Sequence, residues 1–447
     1  MDSRFRGNDE LQDGRSLASG MLSDAISIAA TLVIVAILAF VYLTLSLNAE
    51  SRDQANVVSV PMVTSALDEF MRAVGGAAGQ PTVHGNTVDL YQNGDEIFPP
   101  MLAAIAGAKS TVHFSTYVFW DGTIPDTFAD AFSAAAQRGI TVRVVLDSEG
   151  SSPMKKAVAA RMRAAGVHVS WYHRARWYDW ARYNRRTHRR LLIVDGTVAF
   201  TGGVGIADEW SGHAQSAKHW RDTHVRITGP GVTALQSAFL DSWNTCENEL
   251  LLHERDFPSQ PQTGTITLAA IVSTPSNGTS QAQRVMAACV AAAERTLHIT
   301  NPYFIPTQGF RHALGAAVKR GVEVRVIMPG PHHDQPIVRR ASRHTWRSLV
   351  DRGVELYEYQ PTMIHAKTLV VDDSVFLVGS INFDPRSFSL NAEAGIVAAD
   401  RTLAARLNSA FAADLALSTR ITAEAIAARP WANRTLDAMC YWVRAQL

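Results

Sequence analysis

The chain has 447 residues, 47% of them hydrophobic, which is enough for two domains of ordinary size that each bury a core. Its 42 Lys and Arg residues are balanced by 41 Asp and Glu residues, and the net charge of +1 argues against nucleic acid as a partner because it provides no overall positive field. The three cysteines are too few and too widely spaced for a disulfide framework or a zinc cluster, so we expect unpaired packing residues at Cys246, Cys289 and Cys440.

The first predicted element is a transmembrane helix at residues 25–47, after an N-terminal tail at residues 1–24. Its 23 residues carry no charge, and at about 1.5 Å per residue they span a bilayer core of about 30 Å. A cleaved signal peptide is the alternative, but its apolar region would be shorter. The nearby arginines predict a cytoplasmic N-terminus and a catalytic part outside the cytoplasm, since three precede the helix and one follows it: Arg4, Arg6, Arg15 and Arg52. A translation start at Met21 would remove this signal.

Residues 48–83 are expected to form a linker. Within it, the spacing of apolar residues predicts a short amphipathic helix from Pro61 to Val74. The glycine-rich segment from Gly75 to Pro81 predicts a flexible connection, so the globular part is expected to begin near His84.

From there, helical and strand patterns alternate, which indicates an α/β fold. The pattern then repeats, because AAQRGITVRVVL, which ends at Leu146, is answered by AAVKRGVEVRVIM, which ends at Met328. A period of roughly 180 residues is too long for a solenoid repeat. The duplication predicts two similar halves, residues 84–256 and 257–428, each a mixed β-sheet flanked by helices and packed face to face.

Two short motifs stand at matching places in these halves. The second half has the pattern H-x-K-x4-D-x6-G-S-x-N, formed by His365, Lys367, Asp372, Gly379, Ser380 and Asn382. The first half has H-x-R-x4-D-x6-G-G, formed by His188, Arg190, Asp195, Gly202 and Gly203. Strand-like alternation predicts that each histidine and the cation two places later share a face. A nucleophile beside a cation suits attack on a phosphodiester, whose own negative charge resists attack.

The duplicated motif resembles the signature of the phospholipase D superfamily. The stretches ITNPYFIPTQGFRHAL, YEYQPTMIHAKTLVVDD and NFDPRSFSLNAEAGI are similar to bacterial cardiolipin synthases, and the resemblance extends over roughly residues 84–428. It implies a transferase that moves a phosphatidyl group from one phosphatidylglycerol to another and releases glycerol, without a nucleotide or other cofactor. It also implies a single-pass protein of the bacterial inner membrane.

The resemblance also implies roles for individual residues. His188 would form the phospho-histidine, and His365 would protonate the leaving alcohol and then act as a base. Asp222 and Glu393 would orient the two imidazoles, while Asp195 and Asp372 would be structural. The phosphate would be held by Lys367, Arg190, Ser380, Asn382 and Gly203.

The first half departs from the family pattern at two positions. Arg190 stands where the family has lysine, and Gly205 stands where the fuller motif has asparagine. Arginine keeps the charge but presents a larger, fixed fork. We predict that Arg190→Lys retains or raises activity.

No metal is expected, because side chains supply the positive charge. His332, His333 and Asp334 follow Pro-Gly-Pro and are interpreted as a loop rather than as metal ligands.

Two further segments favour a lipid substrate. Residues 171–190 combine six Trp and Tyr side chains with seven arginines, a composition that suits an anionic lipid surface, stacked single-stranded nucleic acid or a self-packed loop. The tail at residues 429–447 is predicted to form an amphipathic helix, at a membrane interface or against the core, with one apolar stripe: Leu436, Cys440, Val443 and Leu447. The alternatives left open are a hydrolase of phospholipid or nucleic acid, and a lipid-binding protein whose site is no longer catalytic.

Overall fold

A computed structural model of the chain describes residues 21, 24–42, 59–173, 184–275 and 279–447. Its N-terminal helix, α1, runs from Asp24 to Tyr42 and is long and apolar enough to cross a membrane. The remainder of the predicted span, residues 43–47, and the first part of the predicted linker, residues 48–58, lie outside the described residues, as do residues 174–183 of the segment rich in aromatic residues and arginine.

The second helix, α2, differs from the sequence prediction. It runs from Leu67 to Ala78, so it starts later than Pro61 and continues through two glycines that were assigned to a linker. Gly79 ends it in the left-handed conformation, with φ +71°, a conformation that glycine adopts without strain. Phe70 and Val74 are buried in the core of the second half, and this burial stabilises a helix whose glycines disfavour it.

The first half comprises strands β1–β8 and helices α3–α6. The strands are β1 (Val83–Gln92), β2 (Thr111–Thr116), β3 (Thr141–Asp147), β4 (His168–Tyr172), β5 (Arg186–Thr187), β6 (Leu191–Val194), β7 (Val198–Gly202) and β8 (Thr223–Thr228). The helices are α3 (Asn93–Ala106), α4 (Thr123–Gln137), α5 (Lys156–Ala164) and α6 (Val232–Glu247), with a 3-10 turn at Asp208–Trp210.

The second half repeats this order. Its strands are β9 (Ile266–Ser273), β10 (Thr296–Thr300), β11 (Glu323–Pro329), β12 (Glu355–Tyr359), β13 (Thr368–Val371), β14 (Val375–Gly379), β15 (Asn391–Ala399) and β16 (Ser418–Ile421). Its helices are α7 (Gln281–Ala292), α8 (Gln308–Lys319), α9 (Pro336–Val350), α10 (Pro385–Ser389), α11 (Arg401–Ala416) and α12 (Ala423–Ala427). Helix α13 (Trp431–Trp442) and a 3-10 turn at Arg444–Gln446 follow.

The strands form one 16-stranded sheet that shows the duplication directly. From its centre the order is β9-β15-β14-β13-β10-β11-β12-β16 in one direction and β1-β8-β7-β6-β2-β3-β4 in the other. The two halves meet where β1 and β9 pair antiparallel. Each half is a mixed sheet, since β2, β3 and β4 run parallel while β6, β7 and β8 run antiparallel. The predicted duplication is therefore confirmed, and the halves join by strand pairing.

The halves also share a hydrophobic core. Ile193 and Val225 of the first half lie in one buried cluster with Val370 and Ile396 of the second. This shared core, together with the continuous sheet, means that the halves bury apolar surface against each other, which favours their folding as one unit.

The aspartate of each motif lies in a hairpin turn. Asp195 and Asp372, with φ of +52° and +49°, follow β6 and β13 and are each followed by a second residue with positive φ. Two successive positive φ angles are typical of a type I′ turn, and the N–H of Thr197 or Ser374 closes each turn on the carbonyl of Val194 or Val371, at 3.0 and 3.1 Å. Each carboxylate then accepts backbone N–H bonds from three successive residues that lead into β2 or β10, at 2.7 to 3.1 Å. Both aspartates thus tie the motif hairpin to the neighbouring strand.

Helix α13 packs by one face and exposes another. Cys440 is buried against Ile305 and Val338, whereas Trp431 and Met439 are 74% and 64% exposed. Of the predicted stripe, Cys440 and the partly buried Leu447 pack inward, while Leu436 is exposed. The helix is therefore a packed helix that also carries an apolar outer face.

Candidate active site

His188 lies just before β6 and contacts the carboxylate of Glu393 on β15. Its Nδ1 is 2.9 Å from both Oε1 and Oε2. The hydroxyls of Ser380 and Ser387 also donate to Glu393. Since the histidine belongs to the first half and the glutamate to the second, this pair crosses the boundary between halves.

His365 forms the reciprocal pair just before β13. Its Nδ1 is 2.9 Å from Asp222 Oδ2, which also accepts the indole N–H of Trp210 at 2.8 Å. The other oxygen, Oδ1, accepts the backbone N–H of Thr223 at 2.7 Å. Each catalytic histidine of the sequence prediction thus meets the carboxylate that follows the other histidine.

Backbone hydrogen bonds produce the crossing. The His188 N–H donates to the carbonyl of Ala392 at 2.8 Å, and the His365 N–H donates to that of Arg221 at 2.7 Å. Each acceptor immediately precedes a carboxylate. Strand β5 also pairs with β15 in parallel, at Thr187 and Ala392. The crossing is therefore built into strand pairing, and rotation of a side chain alone could not undo it.

Asp222 and Glu393 occupy equivalent places despite their different spacing from the histidines. In the strand register, Gly202 pairs with His224 and Gly379 pairs with Gly395, so each carboxylate stands two residues before the partner of the first motif glycine. The additional residues of the first half lie between the motif and β8, where the 3-10 turn supplies Trp210.

The second motif position differs between halves for a steric reason. A Cβ at Gly203 would collide with Asp222 Oδ1, so this residue makes room for the short aspartate. Ser380, its counterpart, uses its hydroxyl to hold the longer Glu393. At Gly205 a Cβ would lie 2.7 Å from that of Val118, which explains why asparagine does not stand there. Asn382 is buried, and its Oδ1 has no hydrogen-bond partner among the described residues.

Each histidine also has the cation of its own motif as a neighbour. Arg190 Nη1 is 2.8 Å from His188 Nε2, and Lys367 Nζ is 2.9 Å from His365 Nε2. The sequence analysis placed each histidine and its cation on one face of a strand; in the structure both precede the strand, by three residues and by one, and their side chains meet there. Because a guanidinium can only donate, His188 Nε2 must carry the lone pair and Nδ1 the proton. That tautomer presents a nucleophilic nitrogen beside a cation.

The two carboxylates differ in their pKa values. Burial raises the pKa of Glu393 to about 7, although Ser380 and Ser387 donate hydrogen bonds to it. Burial acts in the same direction on Asp222, but the hydrogen bond and charge of His365 outweigh it and lower the pKa to about 2. Asp222 therefore stays ionised to a lower pH than Glu393. An ionised neighbour stabilises an imidazolium, so His365 is the imidazole better able to hold a second proton.

Both imidazoles are neutral at pH 7 when no anion is bound. Burial, then the charges of Arg190 and Lys367, keep the pKa of His188 well below its usual value. Burial and Lys367 lower the pKa of His365 to about 3. A bound phosphate, with its negative charge, would oppose these cations and favour protonation.

Several side chains at the site were not singled out from the sequence. Tyr117 and Tyr303 stand edge-on to His188 and His365, with ring centroids 5.4 and 6.5 Å apart. Arg189 is fully buried and donates to Ser242 of the first half and to the carbonyl of Ser273 in the second. Both tyrosines lie within three residues of the end of β2 or β10, a position that could have revealed them, whereas Arg189 has no such signal.

Among the described residues, no cluster of three or more His, Cys, Asp or Glu side chains could hold a metal ion. Instead, His333 lies beside Asp334, with Nδ1 and Oδ1 3.4 Å apart. The hydroxyl of Tyr303 donates to Asp334.

Comparison with known proteins gives one family match. The model described as "Cardiolipin synthase, PLD-like domain" matches residues 101–227 and 286–415, one segment in each half. The chain is 32% identical over 347 residues to cardiolipin synthase 2 of Staphylococcus epidermidis, covering 77% of this chain and 71% of that protein. It is 32% identical over 337 residues to the cardiolipin synthase of Oceanobacillus iheyensis, covering 75% and 70%.

Among solved structures, the fold resembles phosphatidylserine synthase of Haemophilus influenzae. The TM-score is 0.65 at 14% identity, covering 84% of this chain and 99% of that one. At this identity the likeness concerns the fold.

Proposed function

The chain belongs to the cardiolipin synthase family of phospholipase D-like proteins, and from this premise we propose that it makes cardiolipin from two molecules of phosphatidylglycerol. The crossed pairs of histidine and carboxylate, each with its own cation, support this proposal most directly. They supply a nucleophile, an acid and two charges for the phosphate, which is what exchange of one phosphodiester for another requires.

In the first step, His188 Nε2 attacks the phosphorus of the donor lipid. The bond from phosphorus to the glycerol oxygen breaks, and His365 Nε2 gives its proton to that oxygen. Glycerol leaves, and a phosphatidyl group remains on His188. Arg190 and Lys367 would then contact the non-bridging oxygens instead of the imidazoles, which frees the His188 lone pair.

In the second step, a hydroxyl of the acceptor phosphatidylglycerol gives its proton to His365 Nε2 and attacks the phosphorus. The bond from phosphorus to His188 breaks, and its electron pair returns to Nε2. Asp222 stabilises the protonated form of His365 before the first step and after the second, and between the steps His365 is neutral and can act as the base. The lower pKa of Asp222 keeps it ionised beside His365, which supports the acid and base role of His365, and the higher pKa of Glu393 supports His188 as the nucleophile.

The proposal includes a place for the protein in the cell. Helix α1 would anchor it in the bacterial inner membrane as a single-pass protein with the catalytic part outside the cytoplasm. The exposed face of α13, with Trp431 and Met439, would contact lipid, as an apolar helix face flanked by tryptophan does at an interface. Both substrates are lipids of the same bilayer.

Mass spectrometry of lipids tests the proposal. The detergent-purified full chain is incubated with phosphatidylglycerol vesicles, beside His188→Ala and His365→Ala. Cardiolipin plus glycerol, absent with both variants, is the expected result. Phosphatidic acid alone would instead identify a hydrolase, and binding to anionic vesicles without any product that depends on the histidines would identify a non-catalytic lipid-binding protein.

A further inference from the structure

The surroundings of the two histidines differ in charge. Tyr117 directly follows β2 and Tyr303 is the third residue after β10, and each lies edge-on to the histidine of its own half. The next parallel strand leads to an aspartate in each half: Asp147 is the last residue of β3, and Asp334 lies in the loop after β11. The two aspartates differ in their hydrogen bonds and charge, and this difference distinguishes the surroundings of His188 from those of His365.

The carboxylate of Asp147 is hydrogen-bonded to the protein itself. Its side chain is completely buried and accepts backbone N–H bonds from Glu149, Gly150 and Thr187 at 2.9 to 3.1 Å. The guanidinium of Arg186 lies 3.8 Å away. This carboxylate is neutralised and has a structural role.

Asp334 has unused hydrogen-bonding capacity. It accepts one hydroxyl, from Tyr303, and its Oδ1 has no hydrogen-bond partner within the described ranges. The nearest group is His333, whose Nδ1 lies 3.4 Å from Oδ1. The Asp334 side chain is 19% exposed, whereas Glu393 and Asp222 are fully buried. Oδ1 is shielded from solvent in this structure, but a carboxylate can accept about four hydrogen bonds, so Asp334 has capacity for a further donor.

The charge of Asp334 restricts what that donor can be. Burial acts to raise its pKa, but His333, His365 and the Tyr303 hydroxyl lower it, so the group is an anion at neutral pH. An anion repels the phosphate of a lipid and attracts a hydroxyl hydrogen. Alcohols therefore suit the part of the site beside Asp334, whereas the phosphate suits the part that Arg190 and Lys367 line.

We propose that Asp334, positioned by Tyr303, is the binding residue for the acceptor alcohol and selects a vicinal diol. Its free lone pairs would accept the hydroxyl next to the one that attacks phosphorus, which places the attacking oxygen beside His365. A glycerol group satisfies this requirement, whether it is free glycerol or the headgroup of a second phosphatidylglycerol. Water and monohydric alcohols lack the second hydroxyl. This inference rests on the proposed function, because it concerns the second step of that reaction.

The test compares acceptors with the full chain in mixed micelles of phosphatidylglycerol. Labelled glycerol and 1-propanol compete, and formation of labelled phosphatidylglycerol, phosphatidylpropanol, cardiolipin and phosphatidic acid is measured. In Asp334→Asn the Tyr303 hydroxyl holds the amide oxygen, so the NH2 group turns an acceptor into a donor. We expect the preference for glycerol over 1-propanol to fall roughly ten-fold, with product shifting toward phosphatidic acid. Cardiolipin and labelled phosphatidylglycerol report the lipid and the free diol separately.

The donor reaction and a remote variant provide the controls. Release of glycerol from the donor is the reverse of transfer to labelled glycerol, so Asp334→Asn should slow both reactions by a similar factor. Asp351→Asn, at an exposed aspartate of the same half, should change neither the rates nor the product ratios. Tyr303→Phe should reduce the diol preference less, because Asp334 remains but is less fixed. If Asp334→Asn slows every product equally and keeps the wild-type ratios, the residue is structural and the inference is wrong. A wild-type chain that releases no glycerol would overturn the proposed function itself.

Discussion

Replacement of Asp222 by Asn should disable His365, in the other half of the chain, and leave His188 able to attack. Asp222 accepts three N–H groups, from His365, Trp210 and Thr223, at 2.7 to 2.9 Å. All three partners can only donate in this arrangement, so the NH2 of an asparagine must oppose one of them. The imidazolium also loses its anion. We expect cardiolipin formation to fall roughly 10³- to 10⁴-fold, as when an uncharged isostere replaces the carboxylate behind a catalytic histidine.

Glu393→Gln should cost less and act on the other histidine. Glu393 receives hydroxyls from Ser380 and Ser387, and these can rotate to accept from an amide. One oxygen still accepts the Nδ1 proton of His188. A loss of roughly 10²-fold is expected, at the low end of what a catalytic proton partner contributes.

A donor lipid with a p-nitrophenol headgroup separates the two effects. This leaving group needs no proton, so Asp222→Asn and His365→Ala should release p-nitrophenol in a burst close to one equivalent and then stall. His188→Ala should give no burst, and Glu393→Gln a slow one. If instead Asp222→Asn abolishes the burst while Glu393→Gln leaves it unchanged, the carboxylates serve the histidines of their own halves and the crossed assignment is wrong.

Three further outcomes are expected at the same site. Arg190→Lys should retain or raise cardiolipin formation, because lysine supplies the same charge at the corresponding position of the other motif; complete loss would show a site built around the guanidinium. The burst rate should rise with pH through about 7, since the ionised form of Glu393 draws the proton on the nucleophilic imidazole and the protonated form does not, and Glu393→Gln should remove this inflection in a stopped-flow series. Gly203→Ala should lower turnover more than 100-fold, because its Cβ would collide with Asp222, while Gly76→Ala, which has open space, should leave turnover unchanged and raise the melting temperature slightly, because alanine favours a helix more than glycine does.

The sequence was sufficient to predict the duplicated architecture, the two histidines and the cation beside each. These features depend on local patterns: a strand of four residues, a hairpin turn at Asp195 or Asp372, and a fixed number of residues between them. Because the same spacing occurs twice, the matching positions could be aligned within one chain. The turn also explains why the motif contains an aspartate, since the aspartate carboxylate binds the backbone N–H groups that lead into the adjacent strand.

The pairing across halves was not predictable in the same way. Asp222 and Glu393 each follow a histidine of the same half in sequence, and only the register of β5 with β15 and the contact of His365 with Arg221 bring them to the opposite one. Such pairing depends on tertiary packing. Helix α2 was placed too early for a related reason, because burial of Phe70 in the second half outweighs the helix-breaking tendency of its glycines.

The exchange of carboxylates between halves has a consequence for how this duplicated gene could change over time. After many duplications one copy is free to decay while the other keeps the activity. Here each copy holds a histidine whose partner is encoded in the other, so loss of Asp222 or Glu393 harms the chemistry of the half that was left intact. Neither copy can become a spare, and a chain split at residue 257 would regain activity only when both fragments are produced together.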